Sequence, residues 1–305
     1  ERGREMIKRY FKRLKTEFKG YNAGKFGKDV LAGITVAAVA LPLALAFGIS
    51  SGATAAAGLI TALIAGVVIG LLSGASYQIS GPTGAMAAIL CSLVATYQIQ
   101  GVFIACFMSG VILLLCGIFK LGGLVQFIPT PVITGFTSGI AIIIAFGQIN
   151  NLTGLKCEGA STIDKIVSYF NMPQTLNCEA IAVGVCVIVF MLIYPKKLNA
   201  IIPSSLMSII IATALNFIFN FNVGIVGEIP QTLLLNDRLD ITAVDFDTVK
   251  NLIFPAISIA ALGLIESLLC GASAGRMKNE KLDSDQELVA QGRESFSGVY
   301  LTGTN

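Results

Sequence analysis

The sequence has no histidine. That removes the commonest metal ligand and the side chain best suited to shuttle protons near neutral pH. Charge is scarce as well: Asp, Glu, Lys and Arg make up 13% of the 305 residues, about half the share of a soluble globular domain. No cysteine spacing matches a zinc or haem site, so no metal and no cofactor is expected. Nucleophilic catalysis needs a base beside its nucleophile, and without histidine a Ser or Cys next to a carboxylate is a poor substitute. The chain is therefore not read as an enzyme. What it does have is apolar residues. They make up 54% of the chain, and the mean hydropathy is +0.79, as expected for an all-α polytopic membrane protein.

The most informative stretch runs from Gln78 to Tyr97. It is apolar enough to lie in a bilayer, yet it opens with Ser80-Gly81-Pro82-Thr83-Gly84. Pro82 suits a first helical position, so a helix is expected to start near Thr83. From Thr83 to Tyr97 is too short to cross ~30 Å of hydrocarbon at ~1.5 Å per residue. A half-helix over 83–97, its N-terminus inside the membrane, satisfies both facts. Its free N–H groups and positive dipole end would face a cavity and suit an anion. The alternative is a full-length helix with Gly-Pro-Thr-Gly as its surface turn.

Around that stretch, residues 1–28 hold ten of the 21 Lys and Arg. Met6, Ile7, Tyr10, Phe11, Leu14 and Phe18 recur at helical spacing among them, which reads as a basic amphipathic helix on the cytoplasmic leaflet. Nucleic acid is the competing partner of such a charge run, but an apolar span follows at once and no nucleic-acid partner is expected. The spans read as Val30–Gly48 (interrupted at Pro42), Ala55–Leu72, the half-helix, Val102–Phe119, 128–147, Ala180–Tyr194, Ile201–Phe219 and Leu252–Ala274. Polar loops cover 150–178 and 220–250. With the N-terminus inside, Lys120, Lys196, Lys197, Arg276, Lys278 and Lys281 join the ten on the inner side. Lys156, Lys165, Arg238 and Lys250 lie outside, a distribution that obeys the positive-inside rule. Five cysteines (Cys91, Cys106, Cys116, Cys186, Cys270) lie in apolar runs as small core residues. Cys157 and Cys178 share the first polar loop and could pair if it is extracytoplasmic.

An internal repeat is visible. Ile34–Ser50 lies over Ile257–Ser273 at an offset of 223, with seven of seventeen positions identical. The two spans run in opposite directions, as in an inverted repeat of seven spans per unit. Leu43 then overlies Glu266, and Phe47 overlies Cys270 one turn on, so the last pair is expected to line one cavity. Glu266 is the only acid inside any predicted span. An ionisable group at that depth is costly and marks a functional site by default: it could carry a coupling proton, bind a cation or set the field beside the substrate. The alternative is a protonated carboxyl that only holds helices together.

The combination of Leu41-Pro42-Leu43-Ala44-Leu45-Ala46-Phe47-Gly48, Ile79 to Met86, Ile128-Pro129 to Gly135-Phe136, Ile265-Glu266-Ser267 and Asp283 to Gly292 resembles the SulP family of anion transporters. The resemblance covers nearly the whole chain. It implies a fourteen-span, seven-plus-seven inverted-repeat fold, divided into core and gate domains and usually homodimeric. It also implies an anion held between the N-termini of half-helices three and ten. Carried over, this gives Phe47, Thr83, Gly84, Ala85 and Ser267 as anion-binding residues and Glu266 as the coupling or cation-binding residue. Three departures stand out. Pro42-Leu43 replaces the Pro-Gln of many members, which leans toward the bacterial bicarbonate-type branch. Ala272 to Arg276 lacks the acid that sodium-coupled members carry near the end of span eight. After Gly292 the chain reads Arg293-Glu294-Ser295-Phe296-Ser297 where the family is apolar. Adding 223 to Gly81 gives 304, so Thr302-Gly303-Thr304 is expected to open half-helix ten, with later spans and the STAS domain absent.

The domains expected are the interfacial helix (1–28), the first repeat (29–221), an extracytoplasmic loop (222–250) and the start of the second repeat (251–305). The expected function is secondary active transport of bicarbonate, sulfate or a dicarboxylate, coupled to H⁺ or Na⁺, across the inner (plasma) membrane with the N-terminus cytoplasmic. The 305-residue chain by itself is expected to be inactive. The alternative is a nucleobase transporter of the same fold in which Glu266 holds a ring N–H.

Overall fold

A computed structural model of the chain describes residues 10–12, 14–81, 83–123, 129–155, 167–168, 176–199, 202–224 and 246–303. All regular structure among them is helical: α1 (Ala23–Ser50), α2 (Ala55–Leu72), α3 (Gly84–Ile118), α4 (Thr130–Gly147), α5 (Ile149–Thr153), α6 (Cys178–Ile193), α7 (Lys196–Asn199), α8 (Ser204–Phe219), α9 (Phe246–Lys278) and α10 (Ser284–Gly303).

The basic N-terminal segment is helical at 10–12 and 14–17 and then turns at Gly20, whose φ of +75° favours glycine. Tyr10 Oη donates to Leu71 O at 2.6 Å, tying it to the end of α2. α1 then starts at Ala23, ahead of the predicted Val30, because Asn22 caps it: Asn22 Oδ1 accepts from Lys25 N at 2.9 Å. Residues 23–28, expected in the interfacial helix, thus belong to α1. The interruption expected at Pro42 is absent, and α1 runs straight through it. Proline removes only its own N–H bond to Ala38, and transmembrane bundles re-satisfy such groups from neighbours. α9 passes through Pro255 in the same way.

α1 and α2 meet backbone to backbone. A Cβ on Gly58 would stand 2.1 Å from Ala44 O, and one on Gly48 would stand 2.9 Å from Gly58 Cα. Gly52 turns the chain between them at φ +80°, and Thr54 caps α2 by accepting from Ala57 N at 3.1 Å.

α3 is two helices joined at Gln98, which has φ 59° and ψ 180°. A straight helix would hold Met86 and Met108 ~33 Å apart. Both instead pack against one cluster of Ile104, Ala105, Leu252 and Ile259, so the chain bends sharply at Gln98. The first arm, 84–97, is ~21 Å long at ~1.5 Å per residue, too short to span a bilayer. It corresponds to the predicted half-helix, and the second arm to the fourth predicted span.

α9 and α10 complete the bundle against α3, with α10 also packed on α2. A second core cluster joins Leu113, Ala260, Leu268 and Leu288 across α3, α9 and α10. The α3–α10 contact is a glycine seam: a Cβ on Gly292 would lie 2.7 Å from Leu114 N and 2.8 Å from Gly110 O. Thr302 and Gly303, read from the sequence as the opening of half-helix ten, form the last turn of α10 instead. Beside Glu266, α10 brings Glu287 and Glu294 into the bundle. Protein rather than lipid covers this helix, so its polar residues can face inward, which hides them from a hydropathy scan.

α4, α5, α6 and α8 form a looser group. α6 packs on α5 and α8, α4 touches α3, and α8 touches α1. Their outer faces leave Leu192 80% and Phe217 85% exposed, as lipid-facing residues would be. Asn177 caps α6 and donates to Asn222 O, joining the ends of α6 and α8. Cys157, the expected partner of Cys178, lies outside the described residues.

Candidate anion site

Thr83 is the pivot of the site. As N-cap of α3 it has extended backbone, and its Oγ1 accepts from Met86 N at 3.3 Å. The same hydroxyl donates to Glu266 Oε2 at 2.9 Å. A residue that caps the half-helix therefore also ties it to α9. The Gly84 and Ala85 amides fall in the first turn, where helical N–H groups have no intrahelical acceptor. Gly84 is required there, since a Cβ would lie 2.8 Å from Ile144 and 3.4 Å from the Phe47 ring. Phe47 thus stands against the helix end.

Thr83 and Phe47 face a cavity of about 380 Å³ between α1, α2, α3, α9 and α10. Phe47, Thr83, Glu266, Ser267 and Cys270 all line it, so the structure brings the repeat-related pair Phe47 and Cys270 into one chamber. Neither Gly84 nor Ala85 lines the cavity, and Ala85 is buried. Among the described lining residues there is no Lys or Arg. Positive potential for an anion must then come from the half-helix N-terminus. Among the described residues no group of three His, Cys, Asp or Glu is arranged for a metal.

Behind Ser267 lies a hub that sequence reasoning missed. Glu287 is fully buried and accepts four hydrogen bonds: from Ser73 Oγ at 2.5 Å, Gly74 N at 3.0 Å, Gln78 Nε2 at 2.6 Å and Ser267 Oγ at 2.7 Å. Gln78 Nε2 also donates to Ser267 Oγ at 3.0 Å. The carboxylate therefore joins the end of α2, the loop entering α3, and α9. Two signals pointed to it: an acid within Asp283 to Gly292, and a glutamine just ahead of the Ser-Gly-Pro-Thr-Gly turn.

A helical membrane bundle with a half-helix aimed at an internal cavity is the architecture of secondary transporters. The sequence profile described as the Sulfate permease family matches residues 26–303, and the chain belongs to that family. This is a family of transporters rather than enzymes. YvdB of Bacillus subtilis (strain 168), whose name provisionally assigns it to sulfate transport, is 39% identical over 308 residues, covering 95% of this chain and 56% of YvdB. The bicarbonate transporter BicA of Picosynechococcus is 31% identical over 292 residues, covering 89% of this chain and 50% of BicA. The chain spans about half the length of these curated relatives. In three dimensions it is similar to the transmembrane domain of a cyanobacterial BicA, with a TM-score of 0.76, 27% identity, and coverage of 90% of this chain and 72% of that one. Murine Slc26a9, an anion transporter solved in the inward-facing state, shares the fold with a TM-score of 0.75 at 19% identity, covering 90% of this chain and 50% of that one.

Proposed function

We propose that the protein belongs to a secondary active transporter of a small oxyanion, bicarbonate or sulfate, or of a dicarboxylate, working by alternating access. It would sit in the inner membrane with its N-terminus in the cytoplasm and act as a homodimer at full length. One observation carries the reading: Thr83 caps a half-helix that opens onto a cavity with no Lys or Arg among its described lining residues, and donates a hydrogen bond to Glu266. Such a helix end attracts an anion through its free N–H groups and dipole. Phe47 closes the apolar side of the site, and Ser267 lines the cavity with its hydroxyl proton committed to Glu287.

The contact also suggests how coupling arises. An ionised Glu266 accepts the Thr83 hydroxyl hydrogen bond and puts negative charge where the anion would bind. Like charges in a low-dielectric cavity repel strongly. Neutralising Glu266 with a co-transported cation, H⁺ or Na⁺, removes that repulsion, so anion and cation would bind together. Transport of one then becomes linked to the gradient of the other.

Uptake of labelled bicarbonate, sulfate and succinate into proteoliposomes carrying the full-length gene product tests this. Saturable uptake of one anion is expected, driven by a pH or sodium gradient. In Glu266→Gln it should persist but lose its gradient dependence. No uptake of any of the three under either gradient would overturn the reading.

A further inference from the structure

Glu294 offers a second carboxylate to the same cavity. It lies on α10 and makes no hydrogen bond or ion pair with any described residue. Its surroundings are rich in acceptors. Ser109 Oγ donates to Cys106 O at 2.8 Å, and Ser295 Oγ donates to Gln291 O at 3.0 Å. Both hydroxyls have spent their protons on their own helices and leave lone pairs for the cavity. Gln291 Oε1 is buried and has no partner. All four residues line the cavity.

The fold brings them together for identifiable reasons. Spacing of three and four residues puts Gln291, Glu294 and Ser295 on one face of α10. The glycine seam then lays that face on the second arm of α3, where a Cβ on Gly110 would lie 2.7 Å from Ser295 Cβ. Cys106, one turn before Gly110, is within electrostatic reach of Glu294. Arg293, adjacent in sequence, lines a separate groove with Val67, Val68 and Leu71.

A half-buried carboxylate with neither donor nor counter-ion among the described residues is unfavourable as a bare anion. Here a carboxylate, an amide oxygen and two hydroxyl oxygens provide hard oxygen ligands with a single negative charge, which suits a small monovalent cation better than a divalent one. We propose that Glu294, Gln291, Ser295 and Ser109 form a sodium site on the α10 side of the cavity, separate from Glu266. Its role as a coupling site rests on the transport reading above, but binding itself is measurable without transport.

The test is thermal unfolding of the purified protein in detergent, in NaCl against choline chloride at equal ionic strength. Wild type is expected to gain roughly 3–6 °C in sodium, the size that saturating ligand gives. Glu294→Gln should abolish the gain, while Glu294→Asp should keep it. If Glu294→Gln does not fold, Gln291→Leu and Ser109→Ala should each raise the sodium concentration for half the gain at least threefold. The proposal is overturned by a wild type indifferent to sodium, by a gain that survives Glu294→Gln, or by a gain lost only in Glu266→Gln. Failure of anion uptake alongside an intact sodium shift would overturn the substrate reading and leave this site standing.

Discussion

At the residue scale, one hydroxyl does two jobs. Thr83 Oγ1 accepts from Met86 N and donates to Glu266 Oε2. Thr83→Ser keeps both bonds and should leave unfolding and uptake near wild type. Thr83→Val keeps the volume and loses both, costing about 1 kcal/mol for the cap alone. Its KM for the anion should rise, which uptake kinetics in proteoliposomes would show. Equal KM values for the two variants would remove Thr83 from the site. Glu287 carries a larger structural load, because four donors converge on its carboxylate. Glu287→Leu strands them and should cost about 3–5 kcal/mol, read as a large fall in thermal unfolding temperature. Glu266 was legible from the sequence because it interrupts an apolar run. Glu287 and Glu294 were not, because α10 mixes polar and apolar residues and only its packing against α2 and α3 turns those acids into the bundle.

At the element scale, glycines decide how closely helices approach. Gly292 faces backbone atoms of α3, which cannot swing aside as a flexible side chain would. Gly292→Val should therefore destabilise by about 1–3 kcal/mol through overpacking. Gly66 is a useful control, since nothing lies within 4 Å of its missing Cβ. Gly66→Ala should be neutral or stabilise by up to about 1 kcal/mol through helix propensity. Thermal unfolding of the two variants in one detergent tests the pair, and equal effects would argue against the seam. The half-helix over 83–97 was readable from Pro82, Thr83 and the shortness of the apolar run. The unbroken course of α1 through Pro42 was not, because proline's local cost is visible in sequence whereas the neighbours that offset it are not.

At the scale of the whole molecule, the distribution of Lys and Arg makes an orientation testable. With the N-terminus inside, a cysteine at Lys15 should resist a membrane-impermeant maleimide in intact cells, and one at Lys156 should react. The background for this experiment is a variant whose native cysteines have been replaced. Reversed labelling would invert the topology, including which side of the membrane the cavity opens toward. The two groups of helices differ in how they are held: α3, α9 and α10 share two core clusters and a glycine seam, and α1 and α2 meet through the close approach of Gly48 and Gly58. α4, α5, α6 and α8 make fewer contacts with that bundle. On the transport function proposed above, this division would let a rigid core move against a second unit.

By itself the sequence determined the class of protein, the position of the half-helix and the place of Glu266. Each of these is a local fact: hydropathy over a window, a proline with its glycines, an acid in an apolar run. Only the tertiary structure decided that Thr83 and Glu266 meet, that Glu287 binds α2, α9 and the loop before α3 into one network, and that Glu294 looks into the same chamber. These pairings join residues up to 214 positions apart. They depend on the bend at Gln98 and the close approach of α10 to α3, neither of which has a periodic signature along the chain.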